Sequence, residues 1–196
     1  MFTGIIENVG QVINITTEGG NKHFELFSSI ASELRVDQSL SHNGVCLTVT
    51  EVLDSTYKVT AVKETLKRSN LGELTNKSKV NLERCMPANG RFDGHIVQGH
   101  VDLTGTCASV EDQNGSWLFR FEYQPISPDQ IVVDKGSITV NGVSLTCFDV
   151  SDSGFSVAII PYTYEHTNFR NLQPGDTVNL EFDIIGKYIS KILRQQ

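Results

Sequence analysis

Apolar residues in this chain recur with a period near two, in short stretches bounded by turn formers. GQVINITT (10–17), GVCLTVTEV (44–52) and TYKVTAV (56–62) mix β-branched residues with partial alternation in the first half. TGTCASV (104–110), SWLFRFEY (116–123), GSITVNGVSLTCFDV (136–150) and GFSVAII (154–160) do so in the second. Such runs predict half-buried strands. GGN, HNG, NGS, SDSG and PGD separate them at spacings suited to antiparallel barrels. One or two helical turns are expected near KETLKRSNLGEL (63–74) and its counterpart in the second half. The tail has a different period. Ile185, Tyr188, Ile189, Ile192 and Leu193 fall at i, i+3, i+4, i+7 and i+8, an amphipathic helix. It either packs back on a barrel or meets copies of itself in an oligomer.

The pattern repeats. At an offset of 98, HNGVCLTV (42–49) falls on VNGVSLTC (140–147) with five of eight positions identical, and VNLE (80–83) falls on an identical VNLE (178–181). Thr65, Asn70 and Leu74 meet Thr163, Asn168 and Leu172 at the same offset, and FTGIIENVGQV (2–12) resembles VQGHVDLTGTC (97–107) at an offset of 95. Collinear blocks at nearly one offset point to a duplication. The expected architecture is all-β with short helices. Two tandem six-stranded antiparallel, Greek-key-like barrels span 1–90 and 91–184, with a C-terminal helix over 185–196. They join near MPANGRFDG (86–94), where Pro87, Gly90 and Gly94 break regular structure.

Duplicated barrels imply two similar pockets, unless the second copy is only a scaffold. Thr48 matches Thr146, Thr65 matches Thr163 and Gly4 matches Gly99. Ile5 faces His100, Cys46 faces Ser144 and Glu64 faces Tyr162. Pairing within each half gives one pocket a thiol and a carboxylate, and the other an imidazole and a hydroxyl. Two near-equal sites with unequal groups suit a reaction between two molecules of one compound.

Charge narrows the partners. Sixteen Lys and Arg against 23 Asp and Glu give a net charge of -7. That argues against a groove for nucleic-acid phosphates, including an OB-like single-strand binder. No stretch approaches the ~18 consecutive apolar residues of a membrane span, and the first residues do not read as a secretory signal. Cys46, Cys85, Cys107 and Cys147 form no CxxC pair and no metal-like spacing with the five histidines, so free thiols in a reducing cytoplasm are expected. His95 and His100, five apart, should lie on opposite strand faces, with His95 structural. His42 is read as a turn residue, His23 and His166 as solvated or packing. Cys85, Cys107 and Cys147 are read as small buried hydrophobes, and Trp117 and the ten phenylalanines as core.

MFTGII, HNGVCLTV, KETL with SNLGEL, DGHIVQGHVD (93–102) and NGVSLT (141–146), in this order over essentially residues 1–187, resemble riboflavin synthase of the α-chain type. The resemblance implies dismutation of two 6,7-dimethyl-8-ribityllumazine molecules to riboflavin and 5-amino-6-ribitylaminouracil, without metal or cofactor. It implies homotrimers whose site joins the first barrel of one subunit to the second barrel of the next, and allows association with lumazine synthase. His100 would be the base or proton shuttle, with Ser144 and Thr146 nearby. Ser39 and Cys46 take the positions for activating the second ring, and Asp183 an acidic position close to the site. Thr48, Thr146 and Lys135 would fix rings and ribityl chains. Backbone of Thr60, Ala61, Val62, Lys63, Glu64 and Thr65 would pair with a pyrimidine edge. The matching segment is Ala158, Ile159, Ile160, Pro161, Tyr162 and Thr163.

Gly4, Ile5 and Ile6, Gly99 with Val101, and Leu47 and Leu145 complete the implied binding set. Asn141 stands where the family often has Asp, and Tyr162 where it often has Glu. A non-catalytic lumazine or flavin carrier of the same fold is the rival reading. Retention of Ser39, Cys46, His100 and Thr146 favours the enzyme.

Overall fold

The computed structural model describes residues 1–195. The first barrel is built from β1 (Asn8–Glu18), β2 (Asn21–Phe27), β3 (Ser39–His42), β4 (Val45–Leu53), β5 (Thr56–Ala61) and β6 (Lys79–Arg84), with α1 (Lys63–Arg68) between the last two. The second uses β7 (Leu103–Asp112), β8 (Trp117–Glu122), β9 (Ser137–Val140), β10 (Val143–Ser151), β11 (Gly154–Ile159), α2 (Pro161–His166) and β12 (Thr177–Phe182). The closed order is β1-β2-β5-β4-β3-β6 in one and, started from β7, β7-β8-β11-β10-β9-β12 in the other. The topologies are identical. Closure leaves neither sheet a free edge. The tail forms α3 (Ile184–Leu193), the helix its spacing predicts but shorter than the expected 185–196, of which residue 196 lies outside the described residues.

Patterning marked fewer strands than exist. The four-residue β3 is too short for alternation to register. The stretch 136–150, which reads as one strand, is a hairpin turned at Asn141 and Gly142, with φ of +47° and +80°. Asn43 and Gly44 do the same in the first barrel, at +47° and +82°. These left-handed turns suit the strand twist and explain why Asn-Gly stands at both.

Alternation sorts β4 as expected: Val45, Leu47 and Val49 point inward, while Cys46, Thr48 and Thr50 face out. The second core is aromatic, with Phe119, Phe121, Phe155, Phe169 and Phe182 buried. The first packs Tyr57 among Leu26, Leu40, Leu71 and Leu82.

Several expectations need correcting. His42 ends β3 inside the core. Its Nε2 lies 2.9 Å from the Tyr57 hydroxyl and its Nδ1 3.0 Å from the Leu40 carbonyl. Burial lowers its pKa to about 4. The turn beside it begins at Asn43, and a histidine preceding a turn on the inward face becomes core. Cys85 is exposed, whereas Cys107 and Cys147 are buried. Phe27 and Phe92 are also exposed, the first at a strand end and the second in the segment between the barrels.

The barrels meet around a pseudo-twofold. Phe2 and Val97 form an antiparallel bridge whose amides and carbonyls exchange bonds of 2.7 and 3.1 Å. The two Asn-Gly turns pack together so closely that a Cβ on Gly142 would lie 2.7 Å from the Gly44 nitrogen. Asn43, Asn81, Asn141 and Asn179 span the junction reciprocally. The Asn81 amide group donates to the Asn141 carbonyl and that of Asn179 to the Asn43 carbonyl, each at 2.9 Å. Asn141 is therefore a turn and interface residue.

Candidate functional site

Two segments cross between the barrels. Residues 2–6 run from the first barrel onto β10, where the Ser144 amide donates to the Gly4 carbonyl at 2.8 Å. Residues 97–101 run from the second barrel onto β4, where the Cys46 amide donates to the Gly99 carbonyl at 2.8 Å. Both glycines have φ of +79°, and a Cβ on either would lie within 2.7 Å of the partner strand's Cβ atom. Only glycine lets the strands approach so closely.

A buried glutamate anchors each crossing. Glu83 on β6 accepts the amides of Thr3 and Gly4 at 2.7 and 3.0 Å. Glu181 on β12 accepts those of Gln98, Gly99 and His100 at 2.7, 3.0 and 2.9 Å. Burial raises the pKa of both carboxyls, and the donated amides work against that rise. These residues occupy the repeated VNLE, the signal in the sequence that could have found them.

The crossing overturns the expected pairing. A cleft of about 180 Å³ on the first barrel is lined by Cys46, Glu64, Thr65, Arg68, Gly99, His100 and Val101. His100 therefore shares its cleft with Cys46, not with Ser144. The duplication places Ser144, Tyr162, Thr163 and His166 at the matching positions of the second barrel, joined there by Gly4, Ile5 and Ile6. One cleft thus carries thiol, carboxylate, guanidinium and imidazole. The matching positions on the second barrel carry a serine hydroxyl, a phenol and an apolar Ile5. Pairing within each half fails because a segment follows its backbone partner, and that partner lies in the other barrel.

The chemistry of each group follows from its neighbours. His100 is exposed and Cys46 half-buried. Arg68 holds Glu64 at 2.6 Å and lowers its pKa. On the second barrel, His95 Nδ1 lies 2.7 Å from Ser144 Oγ, and Nε2 lies 3.3 Å from Thr139 Oγ1. Burial lowers the His95 pKa, and the nearby Asp183 carboxylate partly offsets this. His95, read as structural, thus touches a predicted site residue. Tyr162 is exposed and stacked on His166 at 4.1 Å.

Other predicted residues scatter by strand face. Thr48 and Thr146 lie exposed on β4 and β10, and Ser39 pairs with Thr48 across β3 and β4. Leu47, Ala61 and Ile159 turn their side chains into the barrel cores, leaving only backbone for a ligand, and Leu145 packs partly buried against the second core. Thr60 Oγ1 contacts His23 Nδ1 at 2.8 Å. Val62 and Ile160 precede α1 and α2, with Lys63 and Pro161 as first helical residues and Ala158 exposed on β11. Lys135 has φ of +63° and lies 5.7 Å over the Phe148 ring. Asp183 caps α3 by accepting the Ile185 amide at 2.9 Å. A larger cavity of about 670 Å³, lined partly by Lys67, Arg68, Thr104 and Tyr123, contains none of the predicted residues.

Comparison with known proteins bears on the family and the fold. The lumazine binding domain model matches residues 3–85 and again 98–183. The chain is 43% identical over 194 residues to riboflavin synthase of Actinobacillus pleuropneumoniae, covering 98% of this chain and 90% of that protein. It is 40% identical to the Bacillus subtilis riboflavin synthase, covering 100% and 91%, and 36% identical to that of Saccharomyces cerevisiae, covering 97% and 85%. Among solved structures, LumP complexed with riboflavin superposes with a TM-score of 0.85 at 21% identity, covering 93% of this chain and 99% of that one. LumP complexed with 6,7-dimethyl-8-(1'-D-ribityl) lumazine gives 0.83 at 20%, covering 92% and 98%. These last two share the fold.

Proposed function

Because the chain belongs to the lumazine binding domain family, in company with the riboflavin synthases, we propose that it is a riboflavin synthase acting on two molecules of 6,7-dimethyl-8-ribityllumazine. One molecule gives a four-carbon unit to the other, yielding riboflavin and 5-amino-6-ribitylaminouracil. Atoms balance without an oxidant, a reductant or a net water, so the chemistry is proton transfer, addition and elimination.

The observation that carries the reading is the cleft that brings Cys46, Glu64 and His100 together, with unequal groups at the duplicated positions of the second barrel. The lumazine C7 methyl is acidified by its electron-poor ring, and the carbanion spreads over the heterocycle. An exposed imidazole at His100 suits a base for that methyl. The second ring is electrophilic at C7, where water or a side-chain nucleophile from Ser39 or Cys46 can add and later leave. Thr48 and Thr146 lie on the outer strand faces beside Cys46 and Ser144, where they can hold ring edges. Asp183 acts through His95, and His95 through the Ser144 hydroxyl. Holding two rings face to face would supply much of the rate by fixing the reacting carbons together.

The reading extends to a cytoplasmic homotrimer in which the first-barrel cleft of one subunit faces the second-barrel cleft of its neighbour, and to association with lumazine synthase. The exposed Ile185, Tyr188, Ile189, Ile192 and Leu193 of α3 support self-association. Among the described residues no helix is long and apolar enough to cross a membrane.

The test is direct. Purified protein mixed with the lumazine alone should generate riboflavin absorbance near neutral pH. A bound, fluorescent and unconsumed lumazine would instead identify a carrier.

A further inference from the structure

The anchoring of the His100 segment points to a role for a residue outside the clefts. Glu181 is 4% exposed, on a strand of the second barrel, yet its oxygens hold the amides of residues 98–100. Those residues carry His100 to the first barrel, where Gly99 is fastened to Cys46 on its other side. The segment is thus gripped between a carboxylate behind it and β4 in front. Removing solvent from a carboxylate is costly unless donors replace it, and here three backbone amides do.

The grip is rigid at its root. Glu181 pairs through its backbone with Thr139 on β9, next to the β12–β7 pairing at Leu180 and Leu103. The opposite crossing repeats the device: Glu83 holds Thr3 and Gly4, but the residue delivered there is Ile5, which has no titratable group. The same grip therefore delivers a proton-handling residue on one side and an apolar residue on the other.

Resting on the riboflavin synthase reading, we propose that Glu181 is the positioning residue for His100, setting the imidazole against the ring bound in the Cys46 cleft. In Glu181→Gln one acceptor oxygen becomes an NH2 group that faces amide donors, so the segment loosens while β12 keeps its ladder.

The experiment compares wild type with Glu181→Gln, Glu181→Asp and Glu83→Gln in riboflavin formation and thermal unfolding. Glu181→Gln should lose tenfold or more in kcat with KM changed less than threefold. Glu181→Asp, which keeps the charge, should recover part of the loss. Glu83→Gln, an equal lesion ending on Ile5, should raise KM more than it lowers kcat. A Glu181→Gln kcat within twofold of wild type would overturn the proposal. Equal kcat losses in both Gln variants with equal losses of Tm would overturn it too.

If Glu181→Gln does not fold, Glu181→Asp decides: a lower kcat at unchanged KM supports the role, and unchanged kinetics overturn it. Failure of the enzyme reading is read separately, from a wild type that makes no riboflavin. The proposal then stands or falls on the His100 amide proton resonance, which should move upfield in whichever Glu181 variant folds and, if unmoved there, overturns it.

Discussion

His95 and Ser144 are joined by a 2.7 Å contact between Nδ1 and Oγ, made where the segment leading to His100 passes the second barrel. The serine hydroxyl is thereby oriented by a ring whose pKa burial lowers, partly offset by the Asp183 carboxylate. Ser144→Ala should leave a mostly buried ring nitrogen without its partner. Loss of a buried partner costs about 1–3 kcal/mol. A lower urea midpoint at unchanged m-value would report it, whereas an unchanged midpoint would show that water replaces the hydroxyl freely.

The pairing of His100 with Cys46 predicts both reactivity and rate. Alkylation of Cys46 in the free protein, followed by peptide mass spectrometry, should change several-fold in His100→Ala and stay constant in Ile5→Ala. The same His100→Ala variant should lose about 100-fold or more in turnover, the scale of a general base, while lumazine still binds. Wild-type turnover there would place the base elsewhere.

The touching Asn-Gly turns predict a large glycine effect. Gly142 has φ of +80°, and its Cβ would strike the Gly44 backbone. Gly19 has φ of +58° and nothing within 4 Å. Left-handed backbone alone costs a non-glycine residue about 1–2 kcal/mol. Gly19→Ala should lose that much in thermal unfolding, and Gly142→Ala at least twice as much. Equal losses would mean that the barrels part without cost.

His42 predicts acid sensitivity. Its pKa is about 4 in the fold because burial outweighs the Leu40 carbonyl bond. The free imidazole titrates near 6.5. Between those values the unfolded chain takes up a proton that the folded chain refuses. Stability from this group is therefore intact above the unfolded value and is lost as pH falls toward 4, by up to about 3 kcal/mol. Urea unfolding at pH 7.0, 5.5 and 4.5 should show this slope in wild type and a shallower one in His42→Leu. Parallel slopes would remove His42 as the cause.

Much was legible before any coordinates. Most of the longer strands, the duplication and the C-terminal helix follow from period and offset, because alternation buries one strand face and repeated blocks repeat a topology. The outward positions of Cys46, Thr48, Ser144 and Thr146 follow from the same alternation. His42 escaped because its own pattern does not say which face of a four-residue strand turns inward. Glu83 and Glu181 stood in plain view within the repeated VNLE, yet acidic residues on strands usually face water.

The chain's own pattern decided that there would be two barrels and which reactive groups they would hold between them. Only the tertiary structure decided who shares a cleft with whom. Gly99 reaches Cys46, and Gly4 reaches Ser144, through backbone amide–carbonyl bonds between distant segments. Backbone pairing is common to all residues and leaves no side-chain signature, so a crossing made by it is invisible until the barrels are placed together.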